Sequence, residues 1–455
     1  MFRLMKFKSV KLSATIILFS LTIVTFSVFT YLFHEQKLIT TKCEFLKPIT
    51  SDPMDFISVW DTTKTSSDSS NSNQVKLPLQ WDGNYDFTVF WGDGNSDLIT
   101  LFNDPNILHT YASEGVYTIT ITGMIIGWCF NDEGDRLKII DIKQWGSLRL
   151  GNSGHYFYGC KNLELTATDN LDLRGTTILH GAFWYCPNLG DSDSMNGWDV
   201  SNVTDMSNMF YNAHSFNQPI GSWDVSSVRD MSAMFRGADS FNQPIGSWDV
   251  SSVNDMELMF YMANSFNQPI SDWDVWIVTN MQGMFLSADS FNQPINNWDV
   301  SRVTNMESMF SDTSFNQPLD NWNVSRVTNM AYMFSWTSSF NQPLGSWNVS
   351  RVTDMTDMFY KVKLSTSNYD NLLLGWSQLP LQPNVNFNAG NSKYSNASEN
   401  AKQFIITNFS WIITDGGLAT PSSEIPGYIL VLIVAVLSVT IAILIKKKYD
   451  YYIKS

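Results

Sequence analysis

The side chains best spaced for chemistry in this sequence are carboxylates in a row. Asp199, Asp224, Asp249, Asp274 and Asp299 recur every 25 residues, each directly after a tryptophan. Stacked, such a row is either a line of cation ligands or a set of solvated turn carboxylates. In the next two repeats the position becomes Asn323 and Asn348, each opening an Asn-x-Ser sequon. A position that accepts a glycosylatable asparagine is read as exposed. Asn202, Asn396 and Asn408 open further candidate glycosylation sequons. Asp93 and His109 suggest a metal pair, but an aspartate in a Gly-Asp-Gly turn more often bonds its own backbone. Cys160 and Cys186 lie in similar contexts, 26 residues apart. On neighbouring coils about 5 Å apart they are within disulfide reach, or they are two small buried thiols. General acid–base catalysis needs a unique, convergent set of groups with separated pKa values. Here the carboxylates repeat in identical settings, and the five histidines are scattered. No Ser-His-Asp, metal-ligand or phosphate-loop pattern is present. The chain therefore reads as no enzyme, with no catalytic, cofactor-binding or metal residue assigned and no cofactor.

The elements that position these residues are repeats. Trp198, Trp223, Trp248, Trp273, Trp298, Trp322 and Trp347 recur at 25-residue spacing, with one interval of 24. A Met-Phe pair keeps step with them, at Phe210, Phe235, Phe260, Phe285, Phe310, Phe334 and Phe359, and a Phe-Asn-Gln-Pro element falls between. Such self-similarity predicts stacked coils. Within one unit, Ile245 to Val250 predicts a short strand. Val253, Met256, Met259 and Phe260 fall on one face of a short helical turn. The Trp, Met and Phe columns are the only large apolar residues each unit has, so they are read as core. The column Asn217, Asn242, Asn267, Asn292, Asn316 and Asn341 predicts an asparagine ladder serving backbone groups at each coil.

Charged residues are only 16% of the 455, aromatics are 14%, and the formal net charge is -15. That composition excludes a disordered chain. Its acidity argues against nucleic acid as a partner. The basic residues cluster at Arg3, Lys6, Lys8 and Lys11, and at Lys446, Lys447, Lys448 and Lys454. Each cluster flanks an apolar run. Residues 1–33 are read as a signal peptide or signal-anchor helix, 428–445 as a transmembrane anchor and 446–455 as a cytoplasmic tail. The body between them is then extracytoplasmic, with 418–427 as a linker.

Trp91-Gly92-Asp93-Gly94 carries strong hairpin chemistry. Tyr117, Ile119 and Ile121 alternate with threonines, as a half-buried strand does. Together with His109-Thr110-Tyr111 these residues resemble a polycystic-kidney-disease (PKD) type domain over 54–123, which implies a small β-sandwich. The Trp-Asp-Val-Ser-x-Val-x-x-Met-x-x-Met-Phe units resemble those of the BspA-like leucine-rich-repeat surface proteins. On that resemblance 139–190 corresponds to divergent N-terminal coils, 191–360 to the repeat array and 361–417 to a C-terminal cap. The fold class expected is thus a leucine-rich-repeat-like solenoid, with a short strand plus a short helical turn per coil. A small β-sandwich-like module precedes it, and terminal transmembrane helices flank it.

The resemblance implies surface display and adhesion. The expected function is adhesion, or ligand or protein binding, through the repeat surface by a cell-membrane protein. The alternatives are a structural surface coat without a specific ligand and, more remotely, a glycan-active enzyme. Partners expected are surface proteins or glycans of other cells or matrix, and the membrane through the C-terminal helix. Specificity must lie off the repeated columns, so Tyr211, Tyr261, Trp276 and Trp336 are the candidate partner-binding residues.

Overall fold

A computed structural model describes residues 52–420 and 435–446. The signal helix expected over 1–33, most of the linker at 418–427, residues 428–434 of the anchor expected over 428–445 and the tail beyond Lys446 lie outside the described residues. Two compact units are distinguished, Met1–Met54 and Asp55–Ser455. Of the first, only 52–54 are described, where the Met54 N–H donates to Asp52 Oδ1 at 3.0 Å.

The second unit opens with a mixed sheet. Its strands are β1 (Phe56–Asp61), β3 (Leu79–Phe90), β4 (Ser96–Ile99), β6 (Val116–Trp128), β7 (Ile139–Gln144), β8 (Leu148–Arg149) and β9 (Glu164–Leu165). The order is β4-β3-β6-β1-β7-β9, with β8 beside β6. Pairing is antiparallel from β4 to β7, whereas β6–β8 and β7–β9 are parallel. A separate two-stranded ribbon joins β2 (Gln74–Lys76) to β5 (Leu108–Thr110). The hairpin expected at Trp91–Gly94 is there, between β3 and β4. Gly92 has φ 85°, and a Cβ there would lie 2.5 Å from the Thr118 carbonyl, so no other residue fits without moving the strand. The loop 66–76 is locked by a buried pair. Lys138 Nζ lies 3.2 Å from Asp135, both side chains are fully buried, and Lys138 also donates to the carbonyls of Ser70, Asn71 and Gln74 at 2.9 Å each.

From Ile178 onward each unit touches the next through one parallel bridge, along Asp205, Asp230, Asp255, Asn280, Asn305, Asn329 and Asp354. The columns Val253, Met256, Met259 and Phe260, and their equivalents, are fully buried. The phenylalanines stack from coil to coil, with Phe235–Phe260 and Phe260–Phe285 centroids 5.6 Å apart. The indole N–H of Trp273 donates to the Ile245 carbonyl of the preceding coil at 3.1 Å. The asparagine ladder runs as expected. The Asn267 N–H donates to Asn242 Oδ1 at 3.0 Å, and Gln268 Nε2 donates to the Asn242 carbonyl at 2.9 Å.

The expected fold class is nevertheless corrected on three counts. No named strand or helix occurs in the repeats between β9 and Thr366. Gly246 and Ser247 form a turn where a strand was expected. In place of a helical turn the backbone alternates its donors. Met259, Tyr261 and Ala263 N–H groups bond locally to Met256, Leu258 and Phe260 carbonyls, while Leu258, Phe260 and Met262 donate to Gln282, Met284 and Leu286 of the next coil. Leu258 and Met262 are left-handed, at φ 55° and 58°, which ends any right-handed helix. An apolar spacing of three and four residues suits this turn ladder as well as it suits a helix. Second, the N-terminal part is one seven-stranded mixed sheet with a two-stranded ribbon, not two packed sheets. β1 pairs with β7 and β7 with β9, so the sheet continues toward the coils. Third, among the described residues no helix is long and apolar enough to cross a membrane. Of the anchor expected over 428–445, the described part, 435–445, is helical, and 428–434 lie outside the described residues.

The coils end in α1 (Thr366–Trp376), α2 (Glu399–Phe409) and a parallel pair, β10 (Asn386–Asn388) with β11 (Ile412–Thr414). Ser365 caps α1 by accepting from the Asn368 N–H, and Trp376 is fully buried. Lys402 on α2 pairs with Asp415 at 2.7 Å, and Asp415 also accepts from the Tyr369 hydroxyl at 2.8 Å.

Candidate functional site

Two of the turns in each coil carry the candidate residues, one after Met-Phe and one after Trp-Asp-Val. After Met-Phe the second residue is left-handed in every coil. It is Tyr185, Asn212, Gly237, Met262, Ser287, Asp312, Trp336 and Lys361 in turn, with φ from 51° to 66°. This reversal returns the chain to the core; the first residue after Phe is half-buried from Tyr158 to Leu286 and buried at Ser311 and Ser335. Because coils stack in register, the first residues form a column.

In the N-terminal coils that column is an unbroken ridge. Tyr158 stacks on Trp184 at 4.7 Å, and Trp184 on Tyr211 at 5.0 Å. The Arg236 guanidinium follows, 4.5 Å from the Tyr211 ring and 4.9 Å from the Tyr261 ring. Tyr185 leans on the same ridge, 5.9 Å from Tyr211. The ring faces cover one another, so edges and hydroxyls are what the ridge presents. Burial, followed by the charge of Asp132, raises the Tyr158 pKa, so its hydroxyl stays a neutral donor.

Of the residues read from sequence, Tyr211 and Tyr261 therefore come together, with Arg236 between them. Trp336 lies further along, 56% exposed, edge-on to Tyr360 at 5.7 Å and with Lys361 5.7 Å above its ring. Trp276 is on the other turn, 42% exposed under the Arg302 guanidinium at 4.2 Å. Among the described residues no ring contact joins it to the ridge. Sequence reading missed Tyr158, Trp184 and Tyr185, and did not single out Arg236, which holds the same varying position after Met-Phe as Tyr211. The signal was available, since Tyr158 and Trp184 each follow a phenylalanine as Tyr211 does. The N-terminal coils lack the Met-Phe pair, and so were not aligned with the rest.

The Asp column is exposed, and its carboxylates serve their own turns. Asp224 Oδ1 accepts from the Ser226 N–H at 3.1 Å and from its hydroxyl at 2.6 Å. The Ser226 hydroxyl, then its N–H, holds the Asp224 pKa below the usual carboxylate value. Asn323 and Asn348 keep the same turn, accepting from Ser325 and Ser350 at 3.2 Å. Asn202, Asn323, Asn348, Asn396 and Asn408 are all exposed. Asn408 differs in that it sits on α2 and its amide donates to the Phe404 carbonyl at 3.0 Å.

Asp93 Oδ2 bonds His109 at 2.9 Å, and the imidazole stacks on Trp91 at 4.7 Å. Among the described residues no group of three or more His, Cys, Asp or Glu is arranged to hold a metal. Cys160 and Cys186 are buried free thiols. Cys186 donates to the Phe157 carbonyl at 2.9 Å, and burial pushes both pKa values well up, which makes them poor nucleophiles. A groove of about 660 Å³ opens beside the β2–β5 ribbon, with Phe102, Ile107 and Phe130 on its walls. Cys129 also lines it, with its thiol pKa raised by burial.

The chain matches the family described as "Mycoplasma protein of unknown function, DUF285" twice, over residues 177–285 and 266–372. The DUF285 matches cover the stacked coils, including Trp184, Tyr211, Tyr261, Trp276 and Trp336, and leave the mixed sheet aside. The family description names neither a leucine-rich repeat nor a PKD-type module. No curated protein and no solved structure matches the chain.

Proposed function

We propose that the chain is a surface-displayed, non-catalytic binding protein that meets its partner through the ridge after each Phe. The single observation that carries the reading is the run Tyr158–Trp184–Tyr211–Arg236–Tyr261, five aromatic or guanidinium groups in contact on successive coils. Rigid aromatic edges with hydroxyls lose little entropy on binding and dominate many interfaces. They suit a protein or glycan of another cell or of matrix, as the BspA-like resemblance implies. Trp336 with Tyr360 extends the same face, and Trp276 belongs to a separate one. The exposed sequons at Asn396 and Asn408, off the Trp-Asp-Val turn, suit glycosylation on the same reading of a displayed surface.

Protein and glycan arrays probed with the full chain identify the partner class. Trp184→Ala with Tyr211→Ala should weaken the strongest binding at least about tenfold while leaving the melting temperature within about two degrees. Unchanged binding by a folded double variant would remove the ridge as the site and favour a coat without a specific ligand.

A further inference from the structure

The turn after Trp-Asp-Val carries a charge pattern that the ridge does not use. Counting the seven Trp units from the N-terminus, the first three carry Asp199, Asp224 and Asp249, with Asn202, Ser227 and Ser252 three residues further on. In the last three units that later position is Arg302, Arg326 and Arg351, and the aspartate itself becomes Asn323 and Asn348 in the final two. Asp299 is the carboxylate that stays in the basic half. The middle unit holds Trp276 where each of the other six has serine. One turn of the stack thus reads acidic, aromatic, basic, with the exposed tryptophan at its centre.

These groups reach solvent, Arg302 while lying 4.2 Å over the Trp276 ring. All three arginines and the three aspartates are exposed. Among the described residues no carboxylate forms an ion pair with Arg302, Arg326 or Arg351. The aspartates use one oxygen in the local turn, as Asp249 does toward the Ser251 N–H at 3.0 Å. Spacing is fixed by the backbone beside them. The N–H groups of Thr304, Thr328 and Thr353 each donate to the equivalent threonine carbonyl one coil back at 2.9 Å. Hydrogen-bonded strand neighbours are about 4.8 Å apart, so the acidic and basic halves carry one charge at the same interval.

We infer that this face binds a second copy of the same chain, antiparallel, about a two-fold axis at Trp276. The register follows from the sequence of the turn. Arg302 meets the partner's Asp249, Arg326 the partner's Asp224 and Arg351 the partner's Asp199, and the reverse holds across the axis. Only a surface with the same coil repeat keeps all of these pairings in step, and a second copy has it by construction. Such an interface is isologous, with the tryptophans as an aromatic centre between charged flanks. Self-association through this turn is separate from the aromatic ridge and leaves the ridge free for its own partner. A glycan on Asn323 or Asn348 would cover the basic half and prevent it.

Sedimentation of the full chain in mild detergent tests the inference. The chain should be dimeric near 0.05 M salt and largely monomeric near 0.5 M, since screening shortens the Debye length to roughly 4 Å. Arg326→Glu with Arg351→Glu should be monomeric alone, as should Asp199→Arg with Asp224→Arg. A mixture of these two double variants should restore a dimer, because each reversed half again faces its opposite. Trp276→Ser, the residue of the other six units, should weaken dimerisation about tenfold at every salt concentration. Trp184→Ala with Tyr211→Ala should leave the dimer unchanged. A wild-type chain that is monomeric at low salt, a dimer indifferent to the charge reversals, or a mixture that stays monomeric overturns the proposal.

Discussion

The mixed sheet and the stacked coils solve the same problem, backbone hydrogen bonding around an apolar interior, in opposite ways. In the sheet, partners are far apart in the chain and each pairing differs. β1 lies between β6 and β7, with register shifts along the β7 side. Its loop 66–76 is held by one ion pair with both side chains fully buried, without a counterpart among the described residues. In the coils, every residue meets its equivalent one unit away, and the same bonds recur from Ile178 to Asp354. The sheet region concentrates its stability in unique contacts. The coils distribute theirs and leave two turns per unit free to vary. This is why the ridge and the charged turn both lie on coils.

The contrast can be broken first at the unique contact. Lys138→Ala leaves the buried Asp135, still hydrogen-bonded by Ser70 and Lys76, without its counter-charge, and the carbonyls of Ser70, Asn71 and Gln74 without their donor. The expected loss is about 3–5 kcal/mol. Hydrogen exchange should show it concentrated in β2 and the 66–76 loop, with the coil amides still protected. Uniform loss of protection would mean that sheet and coils unfold as one.

A comparable insult in the coils should act on their shared columns. Met256→Asp places a charge in a fully buried column, and about 3 kcal/mol of destabilisation is expected in denaturant titrations. Ser252→Asp, on the half-buried turn nearby, should change stability by less than about 0.5 kcal/mol. Equal effects at the two positions would contradict the turn-ladder register.

The smallest effect is the most diagnostic, because its sign differs between a helix and a turn ladder. Ala233 is left-handed at φ 51°, in the column that Gly283 also occupies. In a helix interior, Ala→Gly costs about 1 kcal/mol. At a left-handed position the same change removes strain, so Ala233→Gly should raise stability by up to about 1 kcal/mol. A drop in melting temperature would restore the helical reading of the Met-x-x-Met-Phe segment.

The sequence alone determined which residues are equivalent and which are core. Twenty-five-residue spacing puts Trp248 over Trp223 and Phe260 over Phe235 whatever the backbone does between them. The asparagine ladder and the Trp91–Gly94 hairpin were legible for similar local reasons, a repeated amide and a turn that only glycine fits. Tyr211 and Tyr261 were legible as rim residues because the positions after Met-Phe vary from unit to unit while the core columns do not. Only the tertiary structure decided the conformation of each coil. Met256, Met259 and Phe260 have the spacing of a helical face, and the outcome turned on where the N–H groups go. With the next coil within reach, Leu258, Phe260 and Met262 bond outward instead of up their own chain. The structure also joined β1 to β7 and β7 to β9, pairings between segments far apart in the chain that no local pattern encodes. It alone placed Arg236 between two tyrosines and Arg302 on Trp276, since contacts between coils depend on how the units stack.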